Sequence, residues 1–294
     1  MLPSPIRALP WRRLLAAALA ATALLGGCAT LDEKQREWIF QPSDRTWPGG
    51  LAAARGMEEV WIEFTARADG APVRLHGLWA PAERPDAPVL LYLHGARWDV
   101  RGSAPRMRRM QELGFAVLGI DYRGFGQSSK ALPSEAMAYE DARAAWNWLA
   151  ARYPERARYI FGHSLGGAIA VQLASEVQQA SRGLIVEGSF TSVPAVAASH
   201  RWGWLPGSLL GPLITQRFDA AARIGTLRTP VLVVHGSADA VIDPALGRAL
   251  FEQAPEPKRF VLVEGGSHHN TNAIGLDQYR EALAELFGLP TRLR

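Results

Sequence analysis

Ser164 stands between glycines in Gly162-His163-Ser164-Leu165-Gly166-Gly167, directly after the apolar run Tyr159-Ile160-Phe161 and directly before the helix-forming run Ala168–Ala174. A serine in a sharp turn from strand to helix has neighbouring backbone packed close around it, so side chains two positions either way would collide. The helix that starts there aims its first N–H groups and positive end at any oxyanion formed beside the serine. The chemistry such an arrangement can do is nucleophilic attack on a carbonyl. A serine hydroxyl is a weak nucleophile, so it needs a histidine to take its proton and a carboxylate to hold that histidine.

Both residue types follow in the chain. Pro230–Val234 reads as a buried strand running into His235-Gly236-Ser237-Ala238-Asp239, which places Asp239 just past a strand's carboxyl end. Phe260–Val263 reads as the next strand, followed by Glu264-Gly265-Gly266-Ser267-His268-His269-Asn270. Spacing leaves both His268 and His269 open as the base, since a loop can present either ring. Asp243 competes with Asp239, but it precedes Pro244, where a helix cap is expected. A second oxyanion donor beside the Leu165 N–H is expected from His94-Gly95-Ala96-Arg97, where Gly95 permits a tight turn and offers the Ala96 N–H. His94, His163 and His235 read as loop supports. None of this chemistry requires a metal or a cofactor.

The elements that must position these residues are visible as short apolar runs: Val89–Leu93, Phe115–Ile120, Tyr159–Phe161, Leu184–Val186, Val231–Val234 and Phe260–Val263. Strands buried on both faces read this way. Between them lie helically spaced segments, Ala104–Leu113, Ser134–Ala151, Leu165–Glu176, Pro244–Gln253 and Leu276–Phe287. Two further strands, Glu59–Thr65 and Val73–Ala80, flank Asp69-Gly70 as a hairpin. The expected fold class is α/β, a mostly parallel sheet of about eight strands with helices on both faces. The interval 189–229 breaks the rhythm and concentrates Trp202, Trp204, Leu209, Leu210 and Phe218, so it is read as a small lid.

Leu93-His94-Gly95, Asp121-Tyr122-Arg123-Gly124-Phe125-Gly126-Gln127-Ser128, Gly162–Gly167, His235–Asp239 and Ser267–Asn270 together resemble the α/β-hydrolase superfamily, in its branch of small-lid bacterial esterases and lipase-like hydrolases. The chain order Ser164, Asp239, His268 matches the order of that fold. The resemblance implies that His268, approached through Gly265-Gly266, is the base, and that Asp121–Ser128 is structural. It also implies an acyl-enzyme on Ser164 and a small-molecule acyl substrate. Ala96-Arg97-Trp98 departs from the small or amide residues common there, and Arg97 could reach an anionic group of a substrate.

The N-terminus carries a different signal. Arg7, Arg12 and Arg13 precede the apolar stretch Leu14–Leu25, which is short of the about 20 residues a membrane-spanning helix needs. Leu25-Gly26-Gly27-Cys28 resembles a bacterial lipobox, so residues 1–27 are expected to be a lipoprotein signal peptide and Cys28 an acylated anchor. By resemblance to sorted lipoproteins, Ala29 rather than Asp after the cysteine implies the outer membrane, facing the periplasm. Residues 28–55 are expected to form a tether and first contact, and 56–294 the hydrolase domain. Cys28 is the only cysteine, so no thiol remains for a disulfide, a metal site or thiol catalysis.

Charge excludes other roles. Three of the four net positive charges sit in residues 1–27, leaving the rest of the chain one unit positive. Elsewhere basic and acidic residues are interspersed, apart from a patch from Arg97 to Arg109 read as a solvated helix face, so nucleic acid is not an expected partner. Oligomeric state leaves no mark in the sequence. The first functional expectation is carboxylic ester hydrolysis, including lipid-like or thioester acyl groups. Peptidase or amidase chemistry on the same fold is a second, although 189–229 holds a single acid, Asp219. A non-catalytic membrane-anchored binding protein is a third.

Overall fold

The computed structural model describes residues 29–199, 201, 202 and 205–290. The expected signal segment with Cys28, together with Trp204 and the side chains of Trp202 and Leu210, lies outside what it describes. A helix α1 occupies 29–40 and a short α2 Gly50–Ala53. The sheet then begins as a hairpin, with β1 (Glu58–Thr65) antiparallel to β2 (Pro72–Ala80). Asp69 closes the turn by accepting the Ala71 N–H at 3.0 Å, and Gly70 supplies the positive φ of 72°.

From there strand and helix alternate: β3 (Val89–Leu93), α3 (Ala104–Glu112), β4 (Ala116–Ile120), α4 (Glu135–Arg152), β5 (Arg158–His163), α5 (Leu165–Val177) and β6 (Gly183–Glu187). After an excursion come β9 (Val231–Gly236), α8 (Pro244–Gln253), β10 (Lys258–Val263), a short α9 (Thr271–Ile274) and α10 (Leu276–Phe287). The spatial order is β1-β2-β4-β3-β5-β6-β9-β10, antiparallel as far as the β2–β4 pair and parallel beyond it. The eight-stranded, mostly parallel sheet flanked by helices is the α/β fold anticipated above.

The apolar runs are continuous because each central strand feeds two cores. Val89, Leu91 and Leu93 enter one cluster with α4 and α5, while Leu90 and Tyr92 enter the other with α3 and α10. Val231 and Val233 divide from Leu232 and Val234 in the same way. Side chains alternate along a strand, so a strand covered on both faces must be apolar at every position.

The excursion at 189–229 contains α6 (Val193–Ser199), a two-residue pair β7 (Arg201–Trp202) and β8 (Leu205–Pro206), a 3₁₀ turn Gly207–Leu213 and α7 (Ala221–Ile224). Leu209 and Leu213 are exposed, whereas Phe218 is fully buried, edge-on to Phe40 and Tyr139. Helix α1 fastens on the excursion: Asp32 accepts from Thr215 Oγ1 and Gln216 Nε2, and Gln35 Nε2 donates to the Leu213 carbonyl. The stretch after α1 is built into the body, with Phe40 buried, its carbonyl accepting the Arg97 N–H at 2.9 Å, and the Arg45 carbonyl accepting the Asp99 N–H at 3.0 Å. No described helix is long and apolar enough to cross a membrane.

Candidate active site

Ser164 joins β5 to α5 with φ at +56°, a left-handed conformation that side-chain-bearing residues rarely hold. The turn survives because its neighbours are glycines. A β-carbon on Gly162 would overlap the Gly166 carbonyl, and one on Gly166 would overlap the Leu93 carbonyl. The Ser164 N–H donates to the Glu187 carbonyl at 2.9 Å, and Ser189 Oγ donates to the Ser164 carbonyl at 2.8 Å, so the β6 end clamps the turn.

Gly95 packs on Ser164: a β-carbon there would stand 3.0 Å from Ser164 Cβ. Among the described residues the Ala96 and Leu165 N–H groups donate to no acceptor.

Asp239 lies past the end of β9, and His268 in the loop after β10. His268 Nδ1 is 2.8 Å from Asp239 Oδ2. The other carboxylate oxygen accepts the Val241 and Ile242 N–H groups, each at 2.9 Å. Burial would raise the Asp239 carboxyl, but hydrogen bonds from His235 and His268, with the backbone donors, outweigh it and hold the group well below the usual carboxylate range. His235 Nε2 meets the Ile242 carbonyl at 3.0 Å, which fixes the proton on that nitrogen and the acid's loop over it. The structure therefore brings His268 to Asp239. His269 instead stacks on Trp47, with ring centroids 5.0 Å apart. Asp243 caps α8 by accepting the Ala245 N–H at 2.8 Å.

The His268 loop is held from behind by residues that sequence reasoning passed over. His163 Nε2 donates to the His268 carbonyl at 2.9 Å; burial first, then the nearby Arg106 and His268, hold this ring well below its usual pKa and hence neutral. Arg106 Nη2 reaches the same carbonyl at 3.3 Å, and Arg106 Nε donates to Glu187 Oε1 at 2.6 Å. Tyr279 donates its hydroxyl to the other Glu187 oxygen. The Glu187 side chain is 1% exposed and that of Arg106 11%, so the solvated-face reading of Arg97–Arg109 fails at Arg106. One helix position of that patch faces the sheet, and a guanidinium can be buried there only because Glu187 meets it. The signal that could have found the pair was Glu187, a charge closing the apolar run Gly183–Val186.

Among the described residues no group of three or more His, Cys, Asp or Glu is placed to hold a metal ion. What the site offers is a serine on a strained turn, the N–H of Leu165 next to it and that of Ala96 next to Gly95, neither with an acceptor among the described residues, and a carboxylate-held imidazole.

The family model described as serine aminopeptidase, S33, matches residues 84–217 and 213–272. An uncharacterized protein of Mycobacterium tuberculosis is 33% identical over 282 residues, covering 93% of this chain and 96% of that one. The lysophosphatidylserine lipase ABHD12 of Danio rerio is 32% identical over 210 residues, covering 62% of this chain and 54% of its own length. Among solved structures, the Pyrococcus furiosus esterase Pf2001 superposes with a TM-score of 0.66 at 18% identity, covering 84% of this chain and 98% of that one. The matched segments span β3 to the His268 loop, so this chain is a hydrolase belonging to the serine aminopeptidase S33 family of the α/β-hydrolase superfamily.

Proposed function

We propose that this chain is a serine hydrolase that cleaves carboxylic esters through an acyl-enzyme on Ser164. The observation that carries the reading is the His268–Asp239 hydrogen bond of 2.8 Å, with His163, the residue before the strained Ser164, bonded to the His268 carbonyl at 2.9 Å. Asp239 holds the His268 Nδ1 proton, leaving Nε2 as the base for the Ser164 hydroxyl. Ser164 Oγ attacks the ester carbonyl, and the Ala96 and Leu165 N–H groups receive the oxyanion. Each such donor is worth roughly 3 kcal/mol in acyl-transfer enzymes. His268 then protonates the leaving alcohol, the C–O bond breaks, and water activated by the same ring releases the acid.

The esterase and lipase names among the relatives favour an ester over an amide. The family description favours an aminopeptidase, which would need a carboxylate free to meet a substrate amine. Of the candidate acids, Glu187 is committed to Arg106 and Tyr279, Asp219 accepts the Ala222 N–H, and Asp44 stands among the cations Arg45, Arg97 and Lys130. We further propose that 189–229 acts as a lid, and that acylated Cys28 anchors the enzyme in the outer membrane facing the periplasm. The test is labelling by a fluorophosphonate probe together with turnover of p-nitrophenyl esters of graded chain length. Labelling and turnover should both vanish in Ser164→Ala; equal labelling of wild type and variant refutes the reading. Faster cleavage of aminoacyl amides than of esters would favour the peptidase.

A further inference from the structure

Beside the oxyanion loop lies a cavity of about 870 Å³ that the hydrolytic machinery does not use. Its wall carries three cations, Arg45, Arg97 and Lys130, with Trp98, Gln41 and Ser43. None of the three is in an ion pair among the described residues. Lys130 Nζ donates only to the Gly126 carbonyl at 3.1 Å, the Arg45 guanidinium lies 5.8 Å from the Trp98 ring, and that of Arg97 meets no partner. Two carboxylates also line the cavity. Glu37 is taken by Lys34 at 2.7 Å, so Asp44 alone stands against the three cations. Uncommitted positive charge in a concave site attracts an anion.

Two paths lead from the cavity's lining to the candidate site. On one, the loop runs from Gly95, packed on Ser164, through Ala96 to Arg97. Arg97 holds φ at +85°, its N–H fixed on the Phe40 carbonyl. A glycine would hold this turn without strain, so a long cation here is a conformational expense placed where the loop leaves the nucleophile. On the other, Trp98 of the lining ends a row of rings that runs from His268 through His269 and Trp47, at centroid distances of 5.4, 5.0 and 5.3 Å. Arg97 is thus two residues of loop away from Gly95, which packs on Ser164, and Trp98 is joined to His268 by a row of rings. The exposed apolar residues Leu209 and Leu213 belong to the 189–229 excursion, whereas this cavity is cationic, and it suits the polar alcohol half rather than an acyl chain.

We propose that this cavity recognises an anionic group, phosphate or carboxylate, on the alcohol portion of the ester substrate, through Arg45, Arg97 and Lys130. The inference rests on Ser164 esterase chemistry and adds the substrate's charge. The test compares three hexanoyl esters on the full chain: neutral monohexanoylglycerol, hexanoylglycerol 3-phosphate and 3-(hexanoyloxy)propanoate. Wild type should cleave at least one anionic ester with kcat/KM about tenfold above the neutral one, the difference lying in KM and shrinking between 0.05 and 0.5 M NaCl as charges are screened. The phosphate and carboxylate arms separate the two anion types. Arg97→Gln should bring the anionic-to-neutral ratio close to one, and Arg45→Gln and Lys130→Gln should lower it from elsewhere on the wall, which covers an Arg97 variant that does not fold. Arg67→Gln, an exposed cation on the β1–β2 turn, should keep the wild-type ratio. A wild-type ratio of one, or variants that slow all three esters equally, overturns the proposal while Ser164-dependent turnover of the neutral ester leaves the esterase reading standing. Ester turnover that persists in Ser164→Ala overturns both.

Discussion

His268 Nδ1 lies 2.8 Å from Asp239 Oδ2, while the adjacent His269 ring stacks on Trp47. Two residues of one type, one position apart, thus belong to different surroundings: one turned to a buried carboxylate, the other to an exposed indole. The hydrogen bond fixes the tautomer of His268, because a proton on Nδ1 leaves the Nε2 lone pair free.

Replacing the two histidines separates their roles. His268→Ala should lower kcat for a short p-nitrophenyl ester by about 10⁴-fold or more, the scale seen when the histidine of a serine triad is removed. His269→Ala should stay within about tenfold of wild type, since it removes a stacking contact and no proton carrier. Steady-state kinetics on both proteins decides it, and a reversed order would move the base to His269.

Asp239 links activity to acid stability. With its carboxyl held below the usual range in the fold, it contributes stability that is complete above the unfolded carboxylate pKa of about 3.9 and is lost as pH falls below that value. Asp239→Asn removes the contribution and leaves His268 without a charged partner. Thermal melts should show the variant less stable than wild type at pH 6, with the gap narrowing toward pH 3, and kcat at pH 7 should fall by about 10⁴-fold. A gap that does not change with pH would refute the electrostatic account.

The strands were legible because a doubly covered strand has no polar face, so Val89–Leu93 and Val231–Val234 announced themselves by composition. The Ser164 turn was legible for a local reason: its glycines are demanded by carbonyls within a few residues or one strand away. Contacts between distant parts were not. Phe218 reads as one more aromatic of a lid, yet it is buried against Phe40 and Tyr139, and Trp47 reads as linker, yet it covers His269. Arg106 was misjudged for the same reason, since its partner Glu187 lies 81 positions on.

Phe218 ties the excursion to the body, so its loss should act on stability before chemistry. Phe218→Ala removes a fully buried ring and should cost about 3–5 kcal/mol. Denaturant titration measures the cost, and a loss below about 1 kcal/mol would mean that the ring is not part of the core.

The expected anchor predicts a fractionation result. Cys28→Ser removes the only thiol, so the variant should no longer incorporate radiolabelled palmitate and should leave the membrane fraction. Unchanged membrane association and labelling would place the anchor elsewhere.

The buried Arg106–Glu187 pair holds the His268 loop through a carbonyl, and its two functions can be pulled apart. Arg106→Met strands the Glu187 carboxylate with only Tyr279 beside it, which should cost about 3–5 kcal/mol, as for other buried ion pairs broken on one side. Arg106→Met with Glu187→Leu removes both charges and should recover much of that stability, because apolar groups of similar volume replace such pairs at little net cost. Activity should not follow. The His268 carbonyl keeps the His163 donor but loses Arg106, so the loop that aims the imidazole is held from one side instead of two. Kinetics on the double variant should show kcat reduced about tenfold with KM close to wild type, since a misplaced base penalises the chemical step and leaves substrate contacts in place. Full recovery of kcat together with stability would reduce Arg106 to a packing role. A rise in KM at unchanged kcat would assign it to substrate binding instead.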